Sequence, residues 1–145
     1  MRAKIKLLRD GAQIPTLGSD KAAGLDMYAC IDSPVEIGPG ETVKIGTGIA
    51  ITPPAGYFGA IFARSGLATK QGLRPANCVG VCDEDYTGEY IVAIHNDSEF
   101  GRIIYNGDRI AQLVFLPYIE DISIEIVDDL ESTERGAGGF GSTGI

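Results

Sequence analysis

A single histidine and three cysteines among 145 residues leave little material for a protein-built metal centre. Cys78 and Cys82 are four apart, but no second Cys/His pair accompanies them, so no zinc site is expected. His95 reads as a strand residue with no catalytic part. An odd cysteine count also makes no disulfide framework, and reduced thiols in a reducing compartment are the simpler reading. Nor is any apolar run long enough to span a bilayer, and the N-terminal MRAKIKLLRD lacks the continuous apolar core of a secretory signal. Cations are short: 12 Lys and Arg against 20 Asp and Glu give a net charge of −8. That balance argues against nucleic-acid binding, which needs cations laid along a phosphate track. It leaves room for one anionic small molecule, held by a few arginines, backbone N–H groups and a bound Mg²⁺. The expectation is a cytoplasmic protein with no membrane or nucleic-acid partner; a nuclear, viral or phage setting stays open.

What is present is the content of a globular domain, 44% hydrophobic and 22% charged, with length for one domain. The dominant period is two. Val43, Ile45, Thr47, Ile49 and Ile51 share one parity; Tyr90, Val92 and Ile94 share another; Ile122, Ile124 and Ile126 repeat it. Turns punctuate these runs at Ile37-Gly38-Pro39-Gly40, Thr52-Pro53-Pro54-Ala55-Gly56 and Asn106-Gly107-Asp108. Many short strands with regular turns predict an all-β sandwich, barrel or jelly roll, with no internal repeat and no linker. One segment, Ser65 to Gly72, predicts a helix of about two turns, with Ser65 suited to the N-cap and Gly72 to the stop. The last stretch, from Glu134, is glycine-rich with little to bury, so a free, mobile arm is expected. Yet it carries Arg135, Phe140, Ser142 and Thr143, an odd choice for filler.

Gly136 to Gly141 satisfies G-x-G-x-x-G, but a dinucleotide fingerprint needs a strand before it and a helix after it. Too little chain follows. The tail also lacks the lysine of a P-loop. Five segments survive: Ala23-Gly24-Leu25-Asp26-Met27-Tyr28; Ala63-Arg64-Ser65-Gly66-Leu67-Ala68; Asn77 to Gly88, with Asp83, Glu84 and Asp85 beside Tyr86 in an expected hairpin; Gly107-Asp108-Arg109-Ile110-Ala111-Gln112-Leu113; and the tail. Each alone has a plain explanation. The three acids suit a solvated turn, Asp26 a nearby cation, Arg64 and Arg109 the surface, and Tyr86 cross-strand packing.

In this order and spacing the segments resemble the five motifs of the trimeric dUTPases, over residues 22 to 144. Departures are small: Ala63 stands where the family has proline and Cys82 where it has isoleucine, and neither supplies a catalytic group. The resemblance implies a distorted jelly-roll β-barrel over residues 1–133 with one short helix, and a flexible arm over 134–145 that closes on an active site. It implies hydrolysis of dUTP to dUMP and pyrophosphate, keeping uracil out of DNA and supplying dUMP for dTMP synthesis. Asp83 matches the general base acting on water. The segment Asn77 to Asp83, with Gly80 and Val81, matches the uracil reader, whose backbone donors and acceptors reject cytosine. Tyr86 matches the ring that packs on deoxyribose. Arg64, Ser65, Gly66 and Gln112 match the triphosphate contacts. Arg135, Gly141, Ser142 and Thr143 match phosphate contacts of the arm, and Phe140 the ring stacked on uracil. Mg²⁺ is implied, carried by phosphate oxygens and waters, with Asp26 near it only through water or paired with Arg64. A homotrimer with shared active sites is also implied.

Three alternatives remain, of which a structural jelly-roll protein leaves the tail unexplained. dCTP deaminases resemble the same fold, but the position of their deaminating glutamate is Ala93 here. A nucleotide-binding regulatory module would keep the fold without turnover, against which the intact Asp83, Tyr86 and Arg135 argue.

Overall fold

Alternating apolar residues become twelve short strands in the computed structural model, which describes residues 2–139. They are β1 Lys4–Leu7, β2 Thr16–Leu17, β3 Leu25–Tyr28, β4 Val35–Ile37, β5 Thr42–Gly46, β6 Ile49–Thr52 and β7 Tyr57–Phe62. After the helix α1 Ser65–Gln71 come β8 Leu73–Pro75, β9 Val79–Cys82, β10 Ile91–Asn96, β11 Arg102–Ile104 and β12 Arg109–Pro117. All pairings are antiparallel. The largest sheet runs β2-β3-β12-β7-β9; a second runs β5-β10-β8; β1-β6 and β11-β4 close the sides. Inward residues of both main sheets, including Met27, Ile45, Ile94 and Leu113, meet in one core with Ile104 of β11. Each such side chain contributes about 2 kcal/mol by leaving water. The result is a jelly-roll-like all-β fold with one short helix, as expected. Among the described residues no helix is long and apolar enough to cross a membrane.

Four local expectations are corrected. The run from Val43 to Ile51 alternates in burial only as far as Thr47 and is two strands, because Gly48 at φ 69° turns the chain from one sheet to another, where Ile49, Ala50 and Ile51 are all buried. The alternation at Ile122, Ile124 and Ile126 forms no strand, and these side chains are 69%, 88% and 96% exposed, since no strand among the described residues pairs with them. The helix is capped by Arg64, not Ser65: Arg64 is extended and makes no side-chain cap bond, since a guanidinium has no acceptor to offer, and it donates to Asp26 instead. The stop is as expected, with Gly72 left-handed at φ 69° and its N–H on the helix carbonyls.

The fourth concerns Asn77 to Asp83. β8 and β9 flank the turn without pairing: β8 bonds to β10 and β9 to β7. Cys78 at φ 60° and the bond from Val79 N to Asn77 O at 2.6 Å tighten the turn, and the strands diverge into separate sheets. Each is therefore an edge strand, with one row of backbone N–H and C=O groups left unpaired.

Candidate functional site

Two groups of expected site residues collect at two places. The first is built on β3, β12 and the end of β7. Asp26 of β3 accepts from Arg64 Nε at 2.8 Å and from Arg109 at 3.1 Å, one guanidinium on each carboxylate oxygen. Gln112 stands beside Asp26 in register and donates to Ala63 O at 2.8 Å. Gly24 leaves it room, since a Cβ there would stand 2.8 Å from Gln112 Oε1. With Ser65 and Gly66 these groups line a cavity of about 380 Å³. Two guanidinium groups against one carboxylate leave a positive balance, which suits an anion.

The second group surrounds β9. Asn77, Gly80, Val81, Cys82, Asp83, Tyr86 and Tyr90 line a slot of about 240 Å³. Gly80 faces Asn77 Nδ2 and Ile61, so the slot approaches backbone closely at that point. Tyr86 lies in the turn after β9 rather than in a strand, and its hydroxyl donates to Glu89 O at 3.0 Å. Asp83 is exposed, and among the described residues its carboxylate accepts no side-chain or backbone hydrogen bond. Its neighbour Glu84 is committed: it accepts from Gly56 N at 2.8 Å and Tyr118 Oη at 3.0 Å. Burial holds the Cys82 thiol above its usual range, so it stays protonated.

The two places do not meet within one chain. Cys82 lies opposite Gly59 and Gln112 opposite Phe62. That register separates Asp83 from Gln112 by four residues along the sheet and two strands across it, roughly 16 Å at ordinary strand spacing. A larger cleft of about 650 Å³ opens beside Asp83, lined by Thr52, Phe58, Val81, Glu84, Asp85 and Tyr118. Volume favours this cleft, but charge decides against it as an anion site of the single chain, because it presents three carboxylates and no cation.

No three His, Cys, Asp or Glu groups among the described residues are arranged to hold a metal ion. Both Asp26 oxygens already face guanidinium groups. That donor set fits a hydrated cation carried by a polyphosphate and touched through water, and does not fit a cage of side chains.

Of the arm, Arg135 is exposed and folds back onto Gly138 O at 3.0 Å. Phe140, Gly141, Ser142 and Thr143 lie outside the described residues. Sequence reasoning left out Arg109, Glu84 and Tyr90. Arg109 was hidden by parity, since three positions separate it from Gln112 and an ideal strand would send them to opposite faces. A register shift between Arg109 and Ala111 returns Arg109 to the Gln112 side.

The dUTPase family model matches residues 10–144. A deoxyuridine 5′-triphosphate nucleotidohydrolase of Desulfitobacterium hafniense is 46% identical over 148 residues, spanning 100% of this chain and 97% of that one. Its counterpart in Saccharomyces cerevisiae is 46% identical over 142 residues, spanning 97% and 93%. Among solved structures, the dUTPase of Staphylococcus bacteriophage 80alpha with dUpNHpp superposes with a TM-score of 0.89 at 30% identity, covering 99% of each chain.

Proposed function

From the premise that this chain belongs to the dUTPase family, we propose how its own residues divide the work of hydrolysing dUTP. Asp83 orients a water on the α-phosphorus and takes its proton. The new P–O bond forms as the bond to the bridging oxygen of the β-phosphate breaks, giving dUMP and pyrophosphate. A carboxylate is a weak base, so positioning must supply much of the effect. The reading rests on one observation: Asp83 stands at the end of edge strand β9, its carboxylate uncommitted among the described residues, next to Tyr86.

Uracil is read in the slot by Asn77, Gly80 and Val81. Splayed edge strands suit this better than a bonded hairpin would, because their unpaired backbone groups are available to the base. Cytosine would leave such groups unmatched. Tyr86 packs on the deoxyribose. Arg64, Ser65, Gly66 and Gln112 hold the triphosphate, and Asp26 fixes the Arg64 guanidinium. When bound on the phosphates, Mg²⁺ would neutralise charge on the leaving pyrophosphate, and Asp26 would reach it only through water. Residues 1–133 form the catalytic body. Residues 134–145 form an arm in which Arg135, Gly141, Ser142 and Thr143 contact phosphates and Phe140 covers the base. Closing about ten residues costs several kcal/mol, which a full triphosphate must offset. The product dUMP feeds dTMP synthesis and dUTP is kept from DNA, in the cytoplasm.

We further read the active unit as a homotrimer with shared sites. A base at Asn77 with its α-phosphorus by Asp83 points the phosphates away from Arg64 of the same chain. Cations for the acidic cleft must then come from a neighbour. The exposed Ile122, Ile124 and Ile126 also want covering.

The test is pyrophosphate release with Mg²⁺ from dUTP, dCTP, dTTP and UTP. Release from dUTP alone is expected, with Asp83→Asn binding dUTP but slowed by about 10²–10⁴-fold. A chain ending at Glu134 should keep its fold and lose rate. Parent-like turnover in Asp83→Asn would reject the base, and unchanged kinetics in the shortened chain would reject the arm's role.

A further inference from the structure

Tyr90 carries the one buried side-chain polar atom among the described residues without a well-formed hydrogen bond, the neighbouring Cys82 thiol being only a weak partner. It is 1% exposed and forms part of the slot that Tyr86 borders. Its main chain is tied on both sides: the N–H donates to Ile49 O at 2.8 Å, and the carbonyl accepts from Thr47 Oγ1. The far end of the side chain lies over Gly59. A Cβ at 59 would stand 3.0 Å from Tyr90 Oη, 3.1 Å from Leu113 Cδ1 and 3.4 Å from Cys82 Cβ. A tyrosine fits at 90 because residue 59 has no side chain and residue 82 a small one. A hydroxyl with so weak a partner is costly to bury, so an aliphatic filler would serve stability better unless the ring itself is used.

Tyr86 has a need for that ring. It is 44% exposed. Its tip is held by the bond to Glu89 O, and Gly88 clears its edge, where a Cβ would fall 2.5 Å from Tyr86 Oη. Neither contact stops the ring from tilting into the protein. The Tyr90 ring does, with its centre 6.1 Å from that of Tyr86 and the planes at 33°.

We propose that Tyr90 is a positioning residue that supports Tyr86 from the core side and thereby sets how strictly the sugar of the nucleotide is read. The proposal rests on the reading of Tyr86 as the ring packed on the deoxyribose. A wall rejects one extra hydroxyl only if it cannot yield, and a close-packed backing is what keeps it from yielding.

The experiment compares kcat/KM for dUTP and UTP in the wild type, Tyr90→Leu, Tyr90→Phe and the double variant Cys82→Ile/Tyr90→Leu, after melting curves confirm folding. The wild type should favour dUTP. In Tyr90→Leu the dUTP/UTP ratio should fall about tenfold, mainly through a gain for UTP. Tyr90→Phe keeps the ring and loses only the poorly partnered oxygen, so it should hold the ratio and melt no lower. The double variant refills the space beside Gly59 and should recover most of the ratio. If Tyr90→Leu does not fold, Tyr90→Met, also ringless and of similar size to leucine but more adaptable in packing, carries the same comparison. An unchanged ratio in the ringless single variant, an equal drop in Tyr90→Phe, or no recovery in the double variant overturns the proposal. A wild type indifferent to the 2′-hydroxyl overturns instead the assignment of Tyr86.

Discussion

Asp26 holds two guanidinium groups with one carboxylate, and that ratio decides what the cavity attracts. If the carboxylate faced Arg64 alone, the local charge would sum to zero and the pair would only be structural. Arg109 tips the balance, and it does so from the bulge that turns it toward Gln112. Its side chain is 52% exposed, so the pairing itself adds little stability. Arg109→Gln should therefore melt close to the wild type while raising KM for dUTP about tenfold, with a smaller change in kcat. Steady-state kinetics beside a melting curve checks this. An unaltered KM would mean that Arg109 serves only to orient Asp26.

Elements were legible where one face alone meets the core. β10 shows it: Val92 and Ile94 are buried between exposed or half-buried neighbours, and the alternation is plain in the sequence. Legibility failed where the partner, not the pattern, decides. Ile122, Ile124 and Ile126 alternate as well as any strand here, but a strand needs an edge to join. The β8–β9 turn looked like a hairpin because turn residues signal a reversal and cannot say whether the flanking strands stay together. Ser65 at the start of α1 had the right chemistry for a cap and lost the place to an arginine whose head group was engaged elsewhere. The start of β10 owes its seat to Glu89, which accepts from Arg9 at 2.6 and 3.0 Å and from Gly48 N at 2.7 Å. The Arg9 hydrogen bonds hold the Glu89 carboxyl below the usual value of 4.5. A carboxyl depressed in the folded state stabilises fully above its unfolded pKa, and that contribution fades as pH falls through the folded one. Glu89→Gln should melt below the wild type at pH 7, and the gap should narrow as the pH is lowered beneath about 4.5. Melting curves of both proteins from pH 7 to pH 3 test it, and a gap independent of pH would remove Glu89 from the account of acid stability.

At the scale of the whole molecule, one chain offers a base slot without cations and a cation cavity without a base, separated by the register of β12, β7 and β9. Either some other pair of groups does the chemistry or a second copy brings the missing half. These possibilities separate cleanly by mixing. Asp83→Asn should disable the slot and Arg64→Gln the cavity, so either variant alone should be slow. If every site takes Asp83 from one chain and Arg64 from another, random trimers formed from equal amounts should have roughly one quarter of their sites intact. Unfolding the two variants together, refolding them and measuring dUTP hydrolysis should then recover activity well above either parent. If both residues serve the same chain, each mixed site inherits at least one defect, and the refolded mixture stays as slow as its components.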